Sequence, residues 1–163
     1  MIIVQDSREQ EGKHKHILSY FSEQGIKVVR SKLFVGDYTL LNNQSVCIDT
    51  KKDVVELFMD LTKDHIRFRN ECIRAQENGI HLIILIEEKL PDGGLVNWKS
   101  PRYKSNGKTH KFGDPVTRAD PCIMRKAMIT MQKKYGVRFC FCDKSLTGAI
   151  IEKILERGEN KNA

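Results

Sequence analysis

The segment HLIILIEE at residues 81–88 constrains the fold more than any other part of the chain. It is an almost unbroken apolar run of strand length, which is typical of a central strand that is covered on both faces. A strand of that kind needs helices on both sides of its sheet. Apolar residues do recur at helical spacing before residue 79 and again after residue 120, so the sequence predicts an α/β domain.

The other elements follow from the same periodicities and from helix-capping signals. Asp53 with Glu56 three residues later resembles a capping box, and Gly25, Gly79 and Gly136 stand where helices would end. This order describes one mixed central sheet flanked by helices, in a single domain. We predict strands at 1–5 and 137–142, an antiparallel meander of runs around 26–29, 38–41 and 45–48, and helices at 13–24, from 53, at 64–78, at 123–135 and at 146–157 with Ser145 as its cap.

Length and composition bound the class of protein. The chain has 163 residues, 40% of them apolar and 30% charged, which suits one globular domain. Its formal charge is +7, and a positive excess attracts polyanions such as nucleic acid. The five cysteines form no CxxC pair, and no apolar run approaches the roughly 20 residues that span a bilayer. With no secretory signal at the N-terminus, we expect an intracellular protein with reduced thiols and no membrane partner.

Residues 89–114 have little periodicity and carry two prolines and four glycines, so the sequence predicts a long basic loop there. Its cations alternate with Trp98, Tyr103 and Phe112. Cations for phosphates and aromatic rings for unstacked bases would fit a DNA junction or a single strand. The alternative is a solvated loop whose Trp98 packs in the core. The candidate nucleic-acid contacts in this loop are Lys99, Arg102, Lys104, Lys108 and Lys111.

Two short apolar runs joined by a polar elbow, VGDYTLLNNQSVCIDTKKD, carry the residues best suited to chemistry. Asp37 opens the first run, and Asp49 and Lys51 close the second. Mg²⁺ takes one or two protein carboxylates, and the carbonyl of Thr50 offers a further oxygen ligand. A metal ion held there with a lysine beside it would supply what phosphodiester hydrolysis needs. The alternative is that these residues are charges at strand ends.

Three stretches of the sequence match a known pattern in order. VQDSREQ at 4–10, VGDY at 35–38 and IDTKKD at 48–53 together resemble the nuclease domain of the XPF-family structure-specific endonucleases. The resemblance runs from about residue 1 to residue 90. It implies the restriction-endonuclease-like fold of the PD-(D/E)xK superfamily.

Two further landmarks of that family follow in the same order. One is a helix arginine, Arg67, with Glu71 four residues later, and the other is the apolar strand that ends at Glu87. The resemblance therefore implies a nuclease domain over 1–157, followed by a polar C-terminal tail at 158–163.

By this resemblance Asp37 and Asp49 would bind Mg²⁺ or Mn²⁺, and Lys51 would be the catalytic lysine. Three positions depart from the family pattern. Asp49 replaces a glutamate, Thr50 replaces an arginine, and Val55 stands where the family usually has an acidic residue. The departures leave the metal carboxylates and the lysine in place.

The first strand and the helix arginine add further expected site residues. The resemblance places Asp6, Arg8 and Glu9 beside the metal ligands as part of the catalytic group, with Arg8 near the scissile phosphate. For these three the alternative is an ion-paired strand end. Arg67 is expected to contact nucleic acid, and its alternative is a salt bridge with Glu71 at the i+4 position.

The sequence gives the histidines no strong indication of a role in the chemistry. His14 and His16 in KHKH are expected to be solvated rather than metal ligands. His65 follows Asp64 near the proposed site and is a weaker candidate for a substrate contact.

The resemblance implies a metal-dependent DNA endonuclease that acts at branched, flap or fork structures. Family members usually add helix-hairpin-helix motifs, which the residues after 157 could not form. We therefore expect a second copy or a hetero-partner to supply DNA binding, or the domain to bind alone. The alternative is a catalytically silent DNA-binding pseudonuclease module in a recombination or repair assembly. The expected location is the cytoplasm in a bacterial or viral context, or the nucleus in a eukaryote.

Overall fold

The computed structural model describes residues 1–9, 12–99, 102–105, 108–111 and 120–160, and the side chains of 102–111 and 159–160 lie outside that description. Its helices and strands are β1 (Ile2–Asp6), α1 (Lys15–Glu23), β2 (Lys27–Ser31), β3 (Tyr38–Leu40), β4 (Val46–Lys51), α2 (Val54–Thr62), α3 (His65–Glu77), β5 (His81–Ile86), β6 (Arg102–Ser105), β7 (Lys108–Lys111), α4 (Pro121–Tyr135), β8 (Arg138–Phe141) and α5 (Thr147–Asn160), with short 3₁₀ turns at Gly94–Asn97 and Lys144–Leu146.

Six strands form one mixed sheet in the order β2-β1-β3-β4-β5-β8. The β3–β4 pair is antiparallel, as predicted, but the three-strand meander is wrong at β2. β2 pairs with β1 in parallel and lies at the sheet edge, while β3 pairs with the other side of β1. Helix α1 explains the difference, because a strand–helix–strand crossover returns the chain parallel to its first strand.

Strand β5 lies inside the sheet, parallel to β4 on one side and to β8 on the other. Its side chains divide between two cores. Leu85 packs in the core that α1 and α5 cover, and Ile84 and Ile86 pack in the core that contains residues of α2, α3 and α4. The predicted fold class, a restriction-endonuclease-like mixed sheet flanked by helices, is confirmed.

Three local predictions need correction. The segment 89–114 contains the 3₁₀ turn at Gly94–Asn97 and the β6–β7 hairpin, so it is not a loop without regular structure. Asp143, not Ser145, caps the turn before α5, since its carboxylate accepts the Ser145 N–H at 2.9 Å. Helix α5 also runs on to Asn160, three residues beyond its predicted end.

Within the described ranges, none of the helices combines the length and apolar character that a membrane span needs.

Candidate active site

The sheet topology brings the predicted site residues together at the ends of neighbouring strands, here called the site edge. β1 and β4 both pair antiparallel with β3, and β5 runs parallel to β4, so β1, β4 and β5 end on the same side of the sheet. Strand β3 begins on that side. Asp6, Asp37, Asp49, Lys51 and Glu87 therefore stand at or beside one edge.

The turn before β3 sets the position of Asp37. Gly36 has φ +67°, a conformation that L side chains rarely adopt, and a Cβ there would lie 2.9 Å from both Cys47 Sγ and Ile48 O. The Gly36 N–H donates to Glu71 Oε1 at 2.9 Å, which ties the turn to α3. A glycine is required because the turn passes this close to β4.

Asp37 is buried and is held by Thr50. Its Oδ2 accepts the Thr50 N–H at 2.8 Å and the Thr50 hydroxyl at 2.5 Å. Burial raises the pKa of Asp37 well above its ordinary value, and the nearby charges of Asp49 and Glu9 raise it further. Thr50 therefore orients the carboxylate, while the proposed role of the Thr50 carbonyl as a metal ligand stays a prediction.

Lys51 lies between two buried carboxylates. Its Nζ is 2.7 Å from Asp49 Oδ2 and 2.9 Å from Asp60 Oδ2. Burial alone would lower the pKa of Lys51, but the charges of Asp49 and Asp60 outweigh it and raise that pKa above its ordinary value. The lysine is therefore charged and fixed in position.

Asp49 binds its proton more tightly than an ordinary aspartate does. Burial raises its pKa to about 6, although the charge of Lys51 opposes that rise. Asp49 is in direct contact with Lys51. Asp37 lies close enough to Asp49 for their two carboxylates to repel each other.

Arg67 pairs with Asp60, not with Glu71. Its Nη2 is 2.8 Å from Asp60 Oδ1, and its side chain is 68% exposed. The proposed i+4 salt bridge with Glu71 is wrong, because the Glu71 carboxylate faces the Gly36 turn. Arg67 keeps an exposed position beside the site, and its contact with nucleic acid stays a prediction.

Asp6 and Arg8 form an ion pair at the end of β1. Burial alone would raise the pKa of Asp6, but its hydrogen bonds with Arg8 outweigh this and hold the pKa below its ordinary value. Arg8 also donates to Leu33 O at 2.9 Å, and its side chain is 54% exposed. Asp6 is thus engaged by Arg8, whereas Glu9 lies near Asp37 and pairs with Lys13 at 3.2 Å.

His14 belongs to the site, which the sequence interpretation missed. It is 4% exposed, so the expectation that it is solvated is wrong. Its Nδ1 lies 2.7 Å from the Tyr38 hydroxyl and its Nε2 lies 3.2 Å from Thr50 Oγ1. Burial lowers the pKa of His14. His16, by contrast, is partly exposed and contacts Glu87 Oε1 at 2.5 Å.

The donor atoms fit a divalent cation. One ligand atom each from Glu9, His14 and Asp37 lies within 4.8 Å of the other two. Among the residues that the structure describes, no ion pair neutralises Asp37, although Asp49 and Glu9 add negative charge around it. Buried carboxylates that repel one another are stabilised when they share a cation.

A family model described as the ERCC4 domain matches residues 5–154. This chain belongs to the ERCC4 domain family. The resemblance to the XPF family that its sequence motifs carry is confirmed. No curated protein sequence matches the chain.

Two solved structures have the same fold as this ERCC4 domain. One is XPF from Aeropyrum pernix in complex with DNA, with 19% identity and a TM-score of 0.66 over 98% of this chain and 66% of that chain. The other is XPF from Aeropyrum pernix, with 21% identity and a TM-score of 0.62 over 98% of this chain and 65% of that one. This chain therefore spans about two thirds of the length of those relatives.

Trp98, in the basic segment 89–114, contacts residues beside the site edge of this ERCC4 domain. The indole is buried, and its N–H donates to Glu88 Oε1 at 2.8 Å. Glu88 Oε2 accepts the Val54 N–H at 2.8 Å, at the first turn of α2. Trp98 thus packs in the core, and Lys99 is exposed. The predicted contacts of Arg102, Lys104, Lys108 and Lys111 lie outside the described side chains.

Asp60 and His14 are the site residues that sequence reasoning did not find. Asp60 lies three residues after Leu57 on the buried face of α2, and a charged residue on such a face is a usable signal. His14 precedes Ile17 and Phe21 at the same helical spacing, which places it toward the sheet. His65 is exposed and contacts Thr62 O at 3.0 Å, so its role toward substrate stays a prediction.

Proposed function

We propose that this ERCC4 domain is a metal-dependent endonuclease that hydrolyses phosphodiester bonds in DNA. The observation that carries the proposal is the meeting of Asp37, Asp49 and Lys51 at one sheet edge, with Lys51 Nζ 2.7 Å from Asp49. Two carboxylates and an ammonium group in that arrangement suit the binding of a divalent ion and the stabilisation of charge on a phosphate.

Each residue has a distinct part in this proposal. Asp37 and Asp49 would hold Mg²⁺ or Mn²⁺, which when bound supplies a hydroxide nucleophile and charge stabilisation. Thr50 holds Asp37 in one orientation through two hydrogen bonds. Lys51 keeps its proton because Asp49 and Asp60 flank it, so its ammonium group can stabilise negative charge on the phosphate oxygens.

Arg8 supports the binding of substrate. Its guanidinium is held by Asp6 and by Leu33 O, yet more than half of the side chain is exposed. A preoriented arginine of this kind is suited to a phosphate oxygen of the scissile strand. Asp6 therefore acts as the positioning residue for Arg8.

The substrate we propose is DNA with a branch, flap or fork. The chain carries a formal charge of +7, and the buried Trp98 anchors the segment that leads to the basic β6–β7 hairpin. A solved XPF of the same fold is a complex with DNA. We propose that a second copy or a hetero-partner adds to DNA binding.

A cleavage assay tests this function. The purified chain is incubated with labelled fork, flap and plain duplex DNA in Mg²⁺, in Mn²⁺ or in EDTA. We expect cutting that depends on the metal, favours branched DNA, and is lost in Asp49→Asn and Lys51→Met.

The matched controls are Asp64→Asn and Lys52→Met, two exposed positions near the site. We expect both to cut like the wild type. Binding of DNA without metal-dependent cutting would contradict the nuclease function and leave a catalytically silent DNA-binding module.

A further inference from the structure

His14 stands out because it is a buried imidazole among the carboxylates of the proposed metal site. Its Nε2 lies 3.8 Å from Glu9 Oε2 and 3.2 Å from Thr50 Oγ1, the hydroxyl that donates to Asp37. A histidine in this position is not needed to fill the core, since Ile17 and Phe21 of α1 already pack there.

The separations of the donor atoms match those around a bound cation. Around an ion with metal–ligand bonds of about 2.1 Å, neighbouring ligand atoms lie about 3 Å apart and opposite ones about 4.2 Å apart. The ligand atoms of Glu9, His14 and Asp37 all lie within 4.8 Å of one another. The distance of 3.8 Å between His14 Nε2 and Glu9 Oε2 falls between those two values.

The far side of the imidazole contacts a hydroxyl group, which can either donate a proton to Nδ1 or accept one from it. Nδ1 contacts the Tyr38 hydroxyl at 2.7 Å, and that hydroxyl contacts the Gln5 side-chain amide at 3.3 Å. A metal-ligating histidine normally donates its other ring N–H to such a partner. In this structure Gln5 Nε2 donates to the Tyr38 hydroxyl, which leaves that hydroxyl to donate to Nδ1, so the imidazole proton lies on Nε2 toward Thr50 Oγ1. Binding of an ion at Nε2 therefore moves the proton to Nδ1, and the Tyr38 hydroxyl and the Gln5 amide rotate to accept it.

We propose that His14 Nε2 is a further direct ligand of the divalent ion that Asp37 and Asp49 would hold, together with Glu9. This inference rests on the proposed function, since the ion is the one that the nuclease would use. A nitrogen ligand favours first-row transition metals over Mg²⁺. The site is therefore expected to prefer Mn²⁺ over Mg²⁺ more strongly than an all-oxygen site would.

Mn²⁺ alone, bound to the full chain, is the probe that tests the inference. Electron spin-echo spectroscopy of bound Mn²⁺ detects the magnetic coupling of a directly bonded ¹⁴N nucleus. We expect this coupling in the wild type and in His16→Gln, and its loss in His14→Gln. We also expect His14→Gln to weaken Mn²⁺ binding by at least about tenfold while changing Mg²⁺ binding much less.

His16 provides the matched control, because it lies two residues away on the same helix and contacts Glu87 instead. If His14→Gln does not fold, a chain in which the other four histidines (His16, His65, His81 and His110) are replaced by glutamine and His14 is labelled with ¹⁵N decides the question, because the ¹⁴N pattern must then change to a ¹⁵N pattern. A Mn²⁺ complex without nitrogen coupling, or a coupling that persists in His14→Gln, would overturn the inference.

The outcomes separate this inference from the proposed function. Metal-dependent DNA cutting without nitrogen coupling would refute the role of His14 and leave the nuclease intact. Nitrogen coupling that depends on His14, in a protein that cuts no DNA, would support the ligand and refute the nuclease. Failure to bind Mn²⁺ at all would overturn both.

Discussion

Replacement of Asp60 by asparagine tests whether Lys51 is held by two carboxylates. The Asp60 carboxylate is 4% exposed, with Oδ2 at 2.9 Å from Lys51 Nζ and Oδ1 at 2.8 Å from Arg67 Nη2. Asparagine keeps the volume of the side chain and removes the charge. The Asp60→Asn variant therefore isolates the electrostatic part of the contact.

The expected loss of stability follows from the burial of each partner. Removing one member of a fully buried ion pair costs about 3–5 kcal/mol, because the other charge is left unpaired. Lys51 keeps Asp49 at 2.7 Å, so we expect a smaller loss, about 1–3 kcal/mol. The contact with Arg67 is largely exposed and contributes no more than about 1 kcal/mol.

Urea unfolding in EDTA, followed by circular dichroism, measures this loss, and Arg67→Ala is the matched control. We expect Asp60→Asn to lose clearly more stability than Arg67→Ala. Under the proposed function, a looser Lys51 also lowers kcat about ten- to a hundredfold while KM changes little. Surface substitutions usually change the free energy of unfolding by no more than about 0.5 kcal/mol. A loss within that range for Asp60→Asn would refute the reasoning.

Four further predictions concern the same edge of the sheet. Gly36→Ala should lose about 2 kcal/mol or more in urea unfolding, because alanine resists a φ of +67° and its Cβ would meet Ile48 O; an unchanged midpoint would contradict this. Thr50→Val should bind Mn²⁺ several-fold more weakly in a titration while staying folded, because the hydroxyl that orients Asp37 is lost, and equal affinity would remove that role. Below pH 6, Mn²⁺ affinity should fall by at least about tenfold per pH unit, because Asp49 takes up a proton and the pKa of Asp37 is raised as well, so a flat titration profile would speak against the two aspartates as ligands. Since the folded pKa of Asp49 lies above its ordinary value, this carboxyl group is more protonated in the folded than in the unfolded chain, and its contribution to stability in thermal melts should fall as the pH rises from about 4 to about 6.

The sequence predicted the elements whose signals are local. The apolar run at 81–88 is the inner strand β5, and Asp53 does cap α2 by accepting the Glu56 N–H at 2.8 Å. The Asp37 and Asp49 motifs also lie at one edge, as the hairpin pattern implied. In each case neighbouring residues carry the information.

The features that the sequence interpretation missed depend on contacts between distant segments. Whether β2 pairs with β3 or with β1 is decided by the path of helix α1, not by the pattern of β2 itself. Asp60 becomes part of the site only because α2 packs against the end of β4, and His14 only because α1 packs against β3. A polar residue on a buried helical face indicates that a partner exists but does not name it.

We propose that Asp37 and Asp49 hold a divalent ion beside Lys51. Diffraction from a crystal soaked in Mn²⁺, recorded where manganese scatters anomalously, measures this directly. We expect an anomalous peak within about 2.1–2.3 Å of carboxylate oxygens of both aspartates. A well-diffracting crystal with no peak between them, or with manganese bound only elsewhere, would contradict it.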